Sequence, residues 1–281
     1  MGEMPMQYHH ITVSIRSSHA PPYFTGSMLR GAFGHALKHV TCINPSYQCR
    51  GCFQADTCLY YRLFERENIY HPYRFDVTLG SPRWDFGLYL FGDACRHLPY
   101  FLSALEKTLR HSGLGKDRLK FEDFEIAVNG TKVYQNGAFS TQIDVTPQPF
   151  APGPCYPDVR VRLLTPLRIK RANALEYDTI RIEHLLRSIY QREQSICHGR
   201  TVHTLGYTPQ LNAQVKALYY KPLYRRSDRQ NRSITIDGVL GELAVLGLDR
   251  RSCELLKAGK ILGAGKQTVF GLGKIKIEEA T

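Results

Sequence analysis

The stretch Thr146-Pro-Gln-Pro-Phe-Ala-Pro-Gly-Pro-Cys155-Tyr-Pro157 lies near the middle of the 281-residue chain and contains five prolines and one glycine. Proline fixes φ and lacks a backbone donor, so neither a helix nor a central strand can run through this stretch. We therefore predict two domains, the first over residues 1–148 and the second over residues 156–281.

The same order of elements is predicted on both sides of this boundary. In the first half, apolar periodicity predicts strands at 8–15, 73–79, 86–91 and 119–128 and helices at 27–40 and 97–111. In the second half it predicts strands at 159–169, 215–224, 234–245 and 268–277 and helices at 182–196 and 252–262. Each half follows the order β-α-β-β-α-β of the ferredoxin-like unit. The predicted fold class is α+β, with two tandem ferredoxin-like domains.

The composition is that of a folded and strongly basic protein. Hydrophobic residues make up 43% and charged residues 22% of the chain, and 37 basic against 25 acidic residues give a net charge of +12. Such a surface attracts polyanions, so we expect nucleic acid as the partner and no small-molecule substrate. The chain has no apolar run near the roughly 18 residues that cross a bilayer, and its start does not resemble a signal peptide. We therefore expect a cytoplasmic protein without a membrane partner.

Four cysteines suggest a metal site in the first domain. Cys42, Cys49, Cys52 and Cys58 fall within 17 residues and include a Cys-x-x-Cys pair, a pattern typical of structural zinc sites. We predict a small zinc-binding insertion over residues 41–65. An iron–sulfur cluster also takes four thiolates, and unliganded reduced thiols are the third interpretation. The remaining four, Cys95, Cys155, Cys197 and Cys253, are isolated in sequence and are expected in the core rather than in disulfides.

The first predicted helix has an apolar face and a chemically active face. Its apolar stripe consists of Met28, Leu29, Ala32, Phe33, Ala36, Leu37 and Val40. The opposite face carries Arg30, Gly31, Gly34, His35, Lys38 and His39. Histidine can transfer protons near neutral pH, so His35 and His39 are candidate acid/base catalysts, with Lys38 or Arg30 to stabilise charge and Tyr23 as a further candidate. The alternative is that both histidines are solvated surface groups.

Two C-terminal segments have the composition of an RNA-binding surface. Residues 216–232 interleave six basic residues with Tyr219, Tyr220 and Tyr224, and stacking aromatics beside cations are typical of single-stranded RNA binding. The alternative is a basic edge hairpin that resists aggregation. The second segment, Gly263-Ala-Gly265-Lys266-Gln-Thr-Val-Phe-Gly271-Leu-Gly273-Lys274, combines flexible backbone with lysines and is interpreted as a clamp for an RNA backbone. Its spacing fits neither a dinucleotide fingerprint nor a Walker A loop, and ordinary turns are the alternative.

These features together resemble a known family, the CRISPR repeat-processing endoribonucleases of the repeat-associated mysterious protein superfamily. The resemblance rests on Leu29-Arg30-Gly31-Ala32-Phe33-Gly34-His35-Ala36-Leu37, the four-cysteine insertion that follows and runs on to Leu63-Phe64-Glu65, Arg226-Ser227-Asp228-Arg229-Gln230 and the glycine-rich tail. It implies tandem ferredoxin-like domains and cleavage of CRISPR repeat RNA without a catalytic metal. In that reaction the ribose 2′-OH attacks the adjacent phosphorus and leaves a 2′,3′-cyclic phosphate.

The resemblance also implies roles for individual residues. His35 or His39 would act as acid or base, with Lys38, Arg30 and Tyr23 in support. The residues expected to bind the repeat RNA are Arg30, Arg225, Arg226, Arg229, Arg232, Gly263, Gly265, Lys266, Gly271, Gly273 and Lys274. The product would stay bound, and the protein could join a CRISPR surveillance complex. Two alternatives stay open: a non-catalytic subunit that binds the guide RNA, and a zinc-containing RNA-modifying protein outside CRISPR.

Overall fold

The computed structural model describes residues 5–171, 174–175, 177–227 and 232–280. The first half consists of strands β1 (Gln7–Ile15), β2 (Tyr73–Asp76), β3 (Phe86–Phe91), β4 (Phe124–Val128), β5 (Thr131–Gln135), β6 (Ala138–Phe139) and β7 (Gln148–Pro149), with helices α1 (Gly26–Thr41) and α2 (Leu98–Glu106). The sheet order is β2-β3-β1-β4-β5-β6, with β7 paired to one end of β1. All of these pairings are antiparallel.

The second half repeats this architecture. It contains β8 (Val159–Leu167), the short pair β9 (Lys170–Arg171) and β10 (Ala174–Leu175), α3 (Ile182–His198), β11 (Asn212–Ser227), β12 (Arg232–Leu246), α4 (Arg250–Leu262) and β13 (Ile275–Glu279). Its main sheet has the antiparallel order β11-β12-β8-β13. In both sheets the second, third, first and fourth strands of a β-α-β-β-α-β unit follow one another, as a ferredoxin-like fold requires. The predicted α+β class with two such units is confirmed.

Helix α1 covers its sheet with the face that the sequence predicted. Leu29, Phe33, Ala36 and Leu37 are buried in the first core together with Phe101 of α2. Burying each large apolar side chain of this stripe stabilises the fold by about 1.5–3 kcal/mol. The stripe therefore fixes which face of α1 stays available for a ligand.

The final strand begins later than predicted. Residues 268–270 form a short 3-10 turn, and Gly271 and Gly273 follow with φ of +82° and +69°. Positive φ is incompatible with a regular strand, so β13 starts at Ile275 and not at Thr268. The segment 263–274, which we call the glycine-rich segment, is thus a connection between α4 and β13.

The two halves share a core because the β11–β12 hairpin and the glycine-rich segment reach into the first domain. Leu223, Ile236, Val269, Phe270 and Leu272 all belong to the apolar core built on α1 and the first sheet. The hairpin is longer than the predicted strands at 215–224 and 234–245. Its additional length carries basic residues of the second domain onto the first.

Two buried arginines join the domains at the end of α4. Arg74 of β2 donates to the carbonyl oxygens of Lys260 and Ile261, at 3.0 and 2.5 Å. Arg192 of α3 donates to the carbonyl of Leu262 at 2.8 Å, and across the interface to the carbonyls of His71 at 3.1 Å and Tyr73 at 3.3 Å. The last carbonyls of a helix lack partners within the helix and carry partial negative charge, so both guanidiniums satisfy them. This double cap fixes where the glycine-rich segment begins.

The linker is attached to the second domain by a disulfide. Cys155 and Cys253 are bonded to each other, which links the linker to α4 across 98 residues of sequence. The expectation that both are isolated core thiols was wrong, because positions distant in sequence meet once the linker folds back on α4. None of the helices in the described ranges has the length and apolar character that a membrane span needs.

Candidate nucleic-acid interface

The glycine-rich segment lies between the two domains, packed against the start of α1. A Cβ atom on Gly26 would overlap the carbonyl oxygen of Phe270, and one on Gly271 would come within 2.6 Å of Val77. Gly263, Gly271 and Gly273 are buried, whereas Lys266 is exposed and Gly265 is partly exposed. The close contacts of the buried glycines are therefore with protein, and Gly265 and Lys266 form the solvent-facing part of the segment.

Backbone hydrogen bonds hold this solvent-facing turn in place. The amide of Lys266 donates to the carbonyl of Arg168 at 2.8 Å, and the amide of Gly265 donates to the hydroxyl of Ser188 at 3.1 Å. At the other end of the segment, the Lys274 amine forms an ion pair with Asp76 at 3.1 Å. Lys266 is thus presented to solvent on a fixed backbone, while the charge of Lys274 is balanced within the protein.

Cations and aromatic rings alternate along one face of α1. The guanidiniums of Arg225 and Arg30 lie 5.0 and 4.9 Å from the centroid of the Phe270 ring. Arg30 also lies 4.7 Å from the Phe64 ring centroid. Phe64 stacks on Tyr60 at 5.3 Å, and the Lys38 amine lies 5.1 Å from the Tyr60 ring. We call these six residues the cation–aromatic row. It runs from the glycine-rich segment to the four-cysteine insertion.

A glycine on α1 makes room for this row. A Cβ on Gly34 would overlap the Phe64 ring, whereas one on Gly31 would have no atom within 4 Å. The close approach that the sequence suggested at these two glycines is thus made at Gly34, by an aromatic side chain of the same protein. Phe64 can lie flat on α1 because position 34 has no side chain.

Several buried polar atoms beside the row have no hydrogen-bond partner among the described residues. They include the Nε atoms of Arg30 and Arg225, the hydroxyl of Tyr73 and Nδ1 of His71. Burial, with the charges of Arg30 and Arg192, lowers the pKa of His71 to about 4. Burial and the charge of Arg30 also lower the pKa of Arg225. Buried polar groups are normally partnered, so this concentration marks a candidate ligand site.

Tyr23 meets a cation from the second domain. The Lys221 amine lies 4.5 Å from the centroid of its ring, and the carbonyl of Tyr23 accepts a hydrogen bond from the amide of Gly80 at 2.8 Å. Tyr23 itself is 49% exposed. Lys221, Leu223 and Arg225 share one face of β11 because side chains alternate along a strand. Leu223 is buried in the first core, so Lys221 and Arg225 on the same face also point towards the first domain.

The two histidines of α1 belong to a different surface. The rings of His35 and His39 lie 4.7 Å apart, and His39 lies 5.4 Å from Tyr47 of the insertion. Burial and then the charges of His39 and Arg118 lower the pKa of His35. The structure thus places Tyr23 beside Lys221, Lys38 at the end of the cation–aromatic row, and the two histidines beyond that end, where the charges of both Arg118 and Lys38 act on His35.

The predicted hairpin residues are partly outside the described structure. Arg225 lies in the row, but Arg229 and the side chains of Arg226 and Arg232 are outside the described residues. Tyr219 and Tyr224 are exposed, at 57% and 69%, while the Tyr220 hydroxyl donates to Asp237 at 3.0 Å. Two tyrosines of the hairpin therefore remain available for stacking on bases.

The four cysteines of the insertion do not form the predicted zinc site in this structure. Among the described residues, no group of three or more His, Cys, Asp or Glu side chains is arranged to hold a metal ion. The Cys42 thiol instead contacts the carbonyl of Asn44 at 3.7 Å. Burial raises the pKa of Cys49. The spacing supplies four thiols, but the turns between them do not bring them to one point, and an iron–sulfur cluster would need the same convergence.

Sequence patterns missed several residues of this site. Phe270 lies in the glycine-rich segment and Phe64 in the four-cysteine insertion, but neither residue, nor His71, was singled out from the sequence. They become notable only through their contacts with α1. Lys221 stood in the basic, tyrosine-rich run but was not distinguished from its neighbours. Alternation along β11 could have grouped Lys221 with Arg225, although not with Tyr23.

Two family models match successive parts of the chain. One, AF_1859_N, is described as an N-terminal domain and matches residues 4–148. The other is described as the CRISPR-associated endoribonuclease Cas6 and matches residues 161–275. No curated protein matches the sequence significantly.

Solved structures with a similar fold share little sequence with this chain. A product complex of the Cas6 protein TTHB231 is 14% identical, with a TM-score of 0.56 over 99% of this chain and 100% of that one. Thermus thermophilus Cas6 (TTHB231) is 12% identical with a TM-score of 0.53, over 99% and 100% of the two chains. A product complex of the Cas6 protein TTHA0078 is 15% identical with a TM-score of 0.52, over 98% and 100%. At these identities the likeness is one of fold.

Proposed function

We propose that this chain, whose residues 161–275 match the family model described as the CRISPR-associated endoribonuclease Cas6, cuts CRISPR repeat RNA by attack of a ribose 2′-OH and keeps the product bound. The observation that carries this proposal is the convergence of cations from both domains beside the glycine-rich segment. Arg225 and Lys221 come from β11, and Arg30 comes from α1. Guanidinium and ammonium groups bind phosphates, and the aromatic rings between them can stack with bases.

The chemical step needs proton transfer and charge stabilisation. The 2′-oxygen forms a bond to phosphorus while its proton passes to a base, and the bond from phosphorus to the 5′-oxygen breaks as that oxygen takes up a proton. We propose that Tyr23 takes part in proton transfer and that Lys221 stabilises the negative charge on the phosphate oxygens. Their contact at 4.5 Å, on the β11 face that also carries Arg225, supports this assignment. Over four strand residues, Lys221 and Arg225 lie about 13 Å apart, roughly two nucleotide linkages.

His35 and His39 remain the second candidates for proton transfer. Burial and neighbouring charges lower the pKa of His35, so its imidazole can accept a proton, but both histidines lie outside the cation–aromatic row, next to Tyr47 and within reach of the charge of Arg118. Single-turnover cleavage at saturating RNA separates the two assignments. Tyr23→Phe and Lys221→Met should each lower the rate about 10- to 100-fold, whereas His35→Ala and His39→Ala should change it less than about threefold.

The cleavage reaction is tested with one substituted RNA. Repeat RNA should be cut, and the same RNA with a single 2′-deoxy residue at the cut position should stay intact. Cutting should also persist after brief treatment with a chelator. Equal cutting of the two RNAs would reject attack by the 2′-OH.

A non-catalytic RNA-binding subunit is the alternative, and the separation of the α1 histidines from the row favours it. Both hypotheses predict tight, salt-dependent binding, with a logarithmic slope of about −3 to −4 if roughly five phosphates are contacted on a single strand. They differ in cleavage: a protein that binds repeat RNA but cuts neither RNA above would be such a subunit.

The four-cysteine insertion has no catalytic part in this proposal. A structural zinc there is a prediction that rests on the cysteine spacing alone. Elemental analysis of the purified protein tests it, and less than about 0.1 zinc per chain would reject it.

A further inference from the structure

Two arginines from different domains share one aromatic ring beside the glycine-rich segment. Arg30 extends from α1 and Arg225 from β11, and both guanidiniums lie within 5.0 Å of the Phe270 ring centroid. The ring belongs to the connection between α4 and β13, so the three groups come from separate parts of the chain. Phe270 is buried, and each arginine is half-buried.

Nothing in the described part of the protein balances these two charges. Other arginines are paired with carboxylates, for example Arg62 with Asp93 at 2.9 Å and Arg83 with Asp85 at 3.0 Å. Neither Arg30 nor Arg225 lies within ion-pair distance of a carboxylate among the described residues, and the Nε atom of each is buried without a partner. Two like charges that are partly withdrawn from water and have no paired carboxylate among the described residues destabilise the fold.

The groups around the arginines would suit an anion. The Tyr73 hydroxyl is fully buried and makes no hydrogen bond of standard geometry, and the nearby guanidinium of Arg30 is the donor from which it could accept one. The neighbouring His71 is neutral near pH 7, because burial lowers its pKa to about 4. The two guanidiniums provide only donors, the Tyr73 hydroxyl can donate as well as accept, and a guanidinium can bind two phosphate oxygens at once.

We propose that Arg30, Arg225 and the Tyr73 hydroxyl form a binding site for one phosphate group, and that this phosphate is the missing counter-ion between the two domains. This inference rests on the proposed function, since the phosphate would belong to bound RNA. It adds a physical consequence that RNA binding alone does not imply. Without the anion the β11–β12 hairpin docks on α1 against charge repulsion, and with the anion the same two charges hold the domains together.

Each arginine should therefore lower the stability of the RNA-free protein and strengthen its binding of RNA. Arg225→Met retains much of the apolar contact with Phe270 but removes one uncompensated charge. We expect it to raise the unfolding temperature of the RNA-free protein by a few degrees and to weaken repeat-RNA binding about 10- to 100-fold. Arg30→Met is the second variant and should act in the same directions. Arg16→Met is the matched control, because Arg16 is exposed and paired with Asp123 at 3.4 Å.

The experiment measures thermal unfolding of the full chain alone, with inorganic phosphate and with 2′-deoxy-substituted repeat RNA, together with RNA affinity. The proposal expects RNA to stabilise wild type and Arg16→Met more than Arg225→Met and Arg30→Met. If phosphate alone reproduces this difference, the site takes free phosphate as well; if only RNA does, it is specific for a nucleotide linkage.

Two results would overturn the proposal. One is a lower unfolding temperature for both charge-removing variants without RNA, since the arginines would then be structural contacts. The other is RNA affinity equal to that of Arg16→Met. Cleavage by wild type is scored separately, so failure of this site and failure of the proposed RNA processing give different results.

Discussion

Replacing Gly26 by alanine should destabilise the protein, although alanine normally favours a helix. In a helix interior the change from glycine to alanine stabilises by about 1 kcal/mol. At Gly26, however, the new Cβ would lie 2.8 Å from the carbonyl carbon of Phe270 and would overlap its oxygen. Since that atom is backbone and the segment is buried, the clash cannot be relieved by a side-chain rotation. Overpacking of this kind costs about 1–3 kcal/mol, so we expect a net loss of about 2 kcal/mol.

Gly31→Ala on the same helix is the matched control. No atom lies within 4 Å of the Cβ position at Gly31, which is exposed. This substitution should therefore stabilise the protein by about 1 kcal/mol. Urea titrations of both variants should give free energies of unfolding that differ by about 3 kcal/mol. Gly26→Ala should also slow single-turnover cleavage, because it displaces Phe270 from Arg30 and Arg225.

Equal stabilities of the two variants would refute this contact between α1 and the glycine-rich segment. Unchanged cleavage by a destabilised Gly26→Ala protein would retain the contact but remove its role in placing the cations. The two measurements thus separate packing between the domains from assembly of the site.

Three further changes test the interface and the linker. Arg192→Met should lower the free energy of unfolding by about 3 kcal/mol or more in urea titrations, because it leaves the carbonyls of Leu262, His71 and Tyr73 without their donor; a loss below about 1 kcal/mol would contradict the double cap. Folding lowers the pKa of His71 from 6.5 to about 4. As the pH falls, His71 is therefore protonated in the unfolded chain before it is protonated in the folded protein. The free energy of unfolding is unaffected by this group above pH 6.5 and decreases as the pH falls from 6.5 towards 4. His71→Gln should reduce this acid-induced loss by up to about 3 kcal/mol, and an unchanged pH profile would argue against burial of the imidazole. Alkylation of the denatured protein should label the six free cysteines before reduction and all eight cysteines after it, as counted by mass spectrometry; eight labelled residues before reduction would exclude the link from Cys155 to Cys253.

The element order and the buried face of α1 could be predicted from the sequence because they depend on local periodicity. Leu29, Phe33 and Leu37 recur at helical spacing, and all three are buried where the pattern predicts. The final strand was predicted too early, because the apolar residues Val269 and Phe270 resemble a strand. Their side chains instead enter the core of the other domain, and the glycines after them take positive φ.

The candidate site could be predicted from the sequence only in part. Arg30 and Arg225 were both expected to bind RNA, but their shared contact with Phe270 joins three segments that no local pattern relates. Cysteine spacing predicted a metal site that the described residues do not form, since spacing supplies ligands without fixing the directions of their side chains. The histidines of α1 were grouped with Tyr23 because all lie near one helix in sequence, yet their contacts are with different parts of the protein.

Sequence alone determined the two repeated sheet-and-helix units, the strongly basic surface, and which side chains share a face of α1 or of β11. Each of these follows from composition or from a period of a few residues. Tertiary structure decided that β11 crosses onto the first domain, that the glycines serve close packing between domains, and that Arg30 and Arg225 meet with no carboxylate of the described residues paired to either. Those outcomes depend on how two cores fill their shared interface, and close packing is a property of the assembled chain and not of any segment within it.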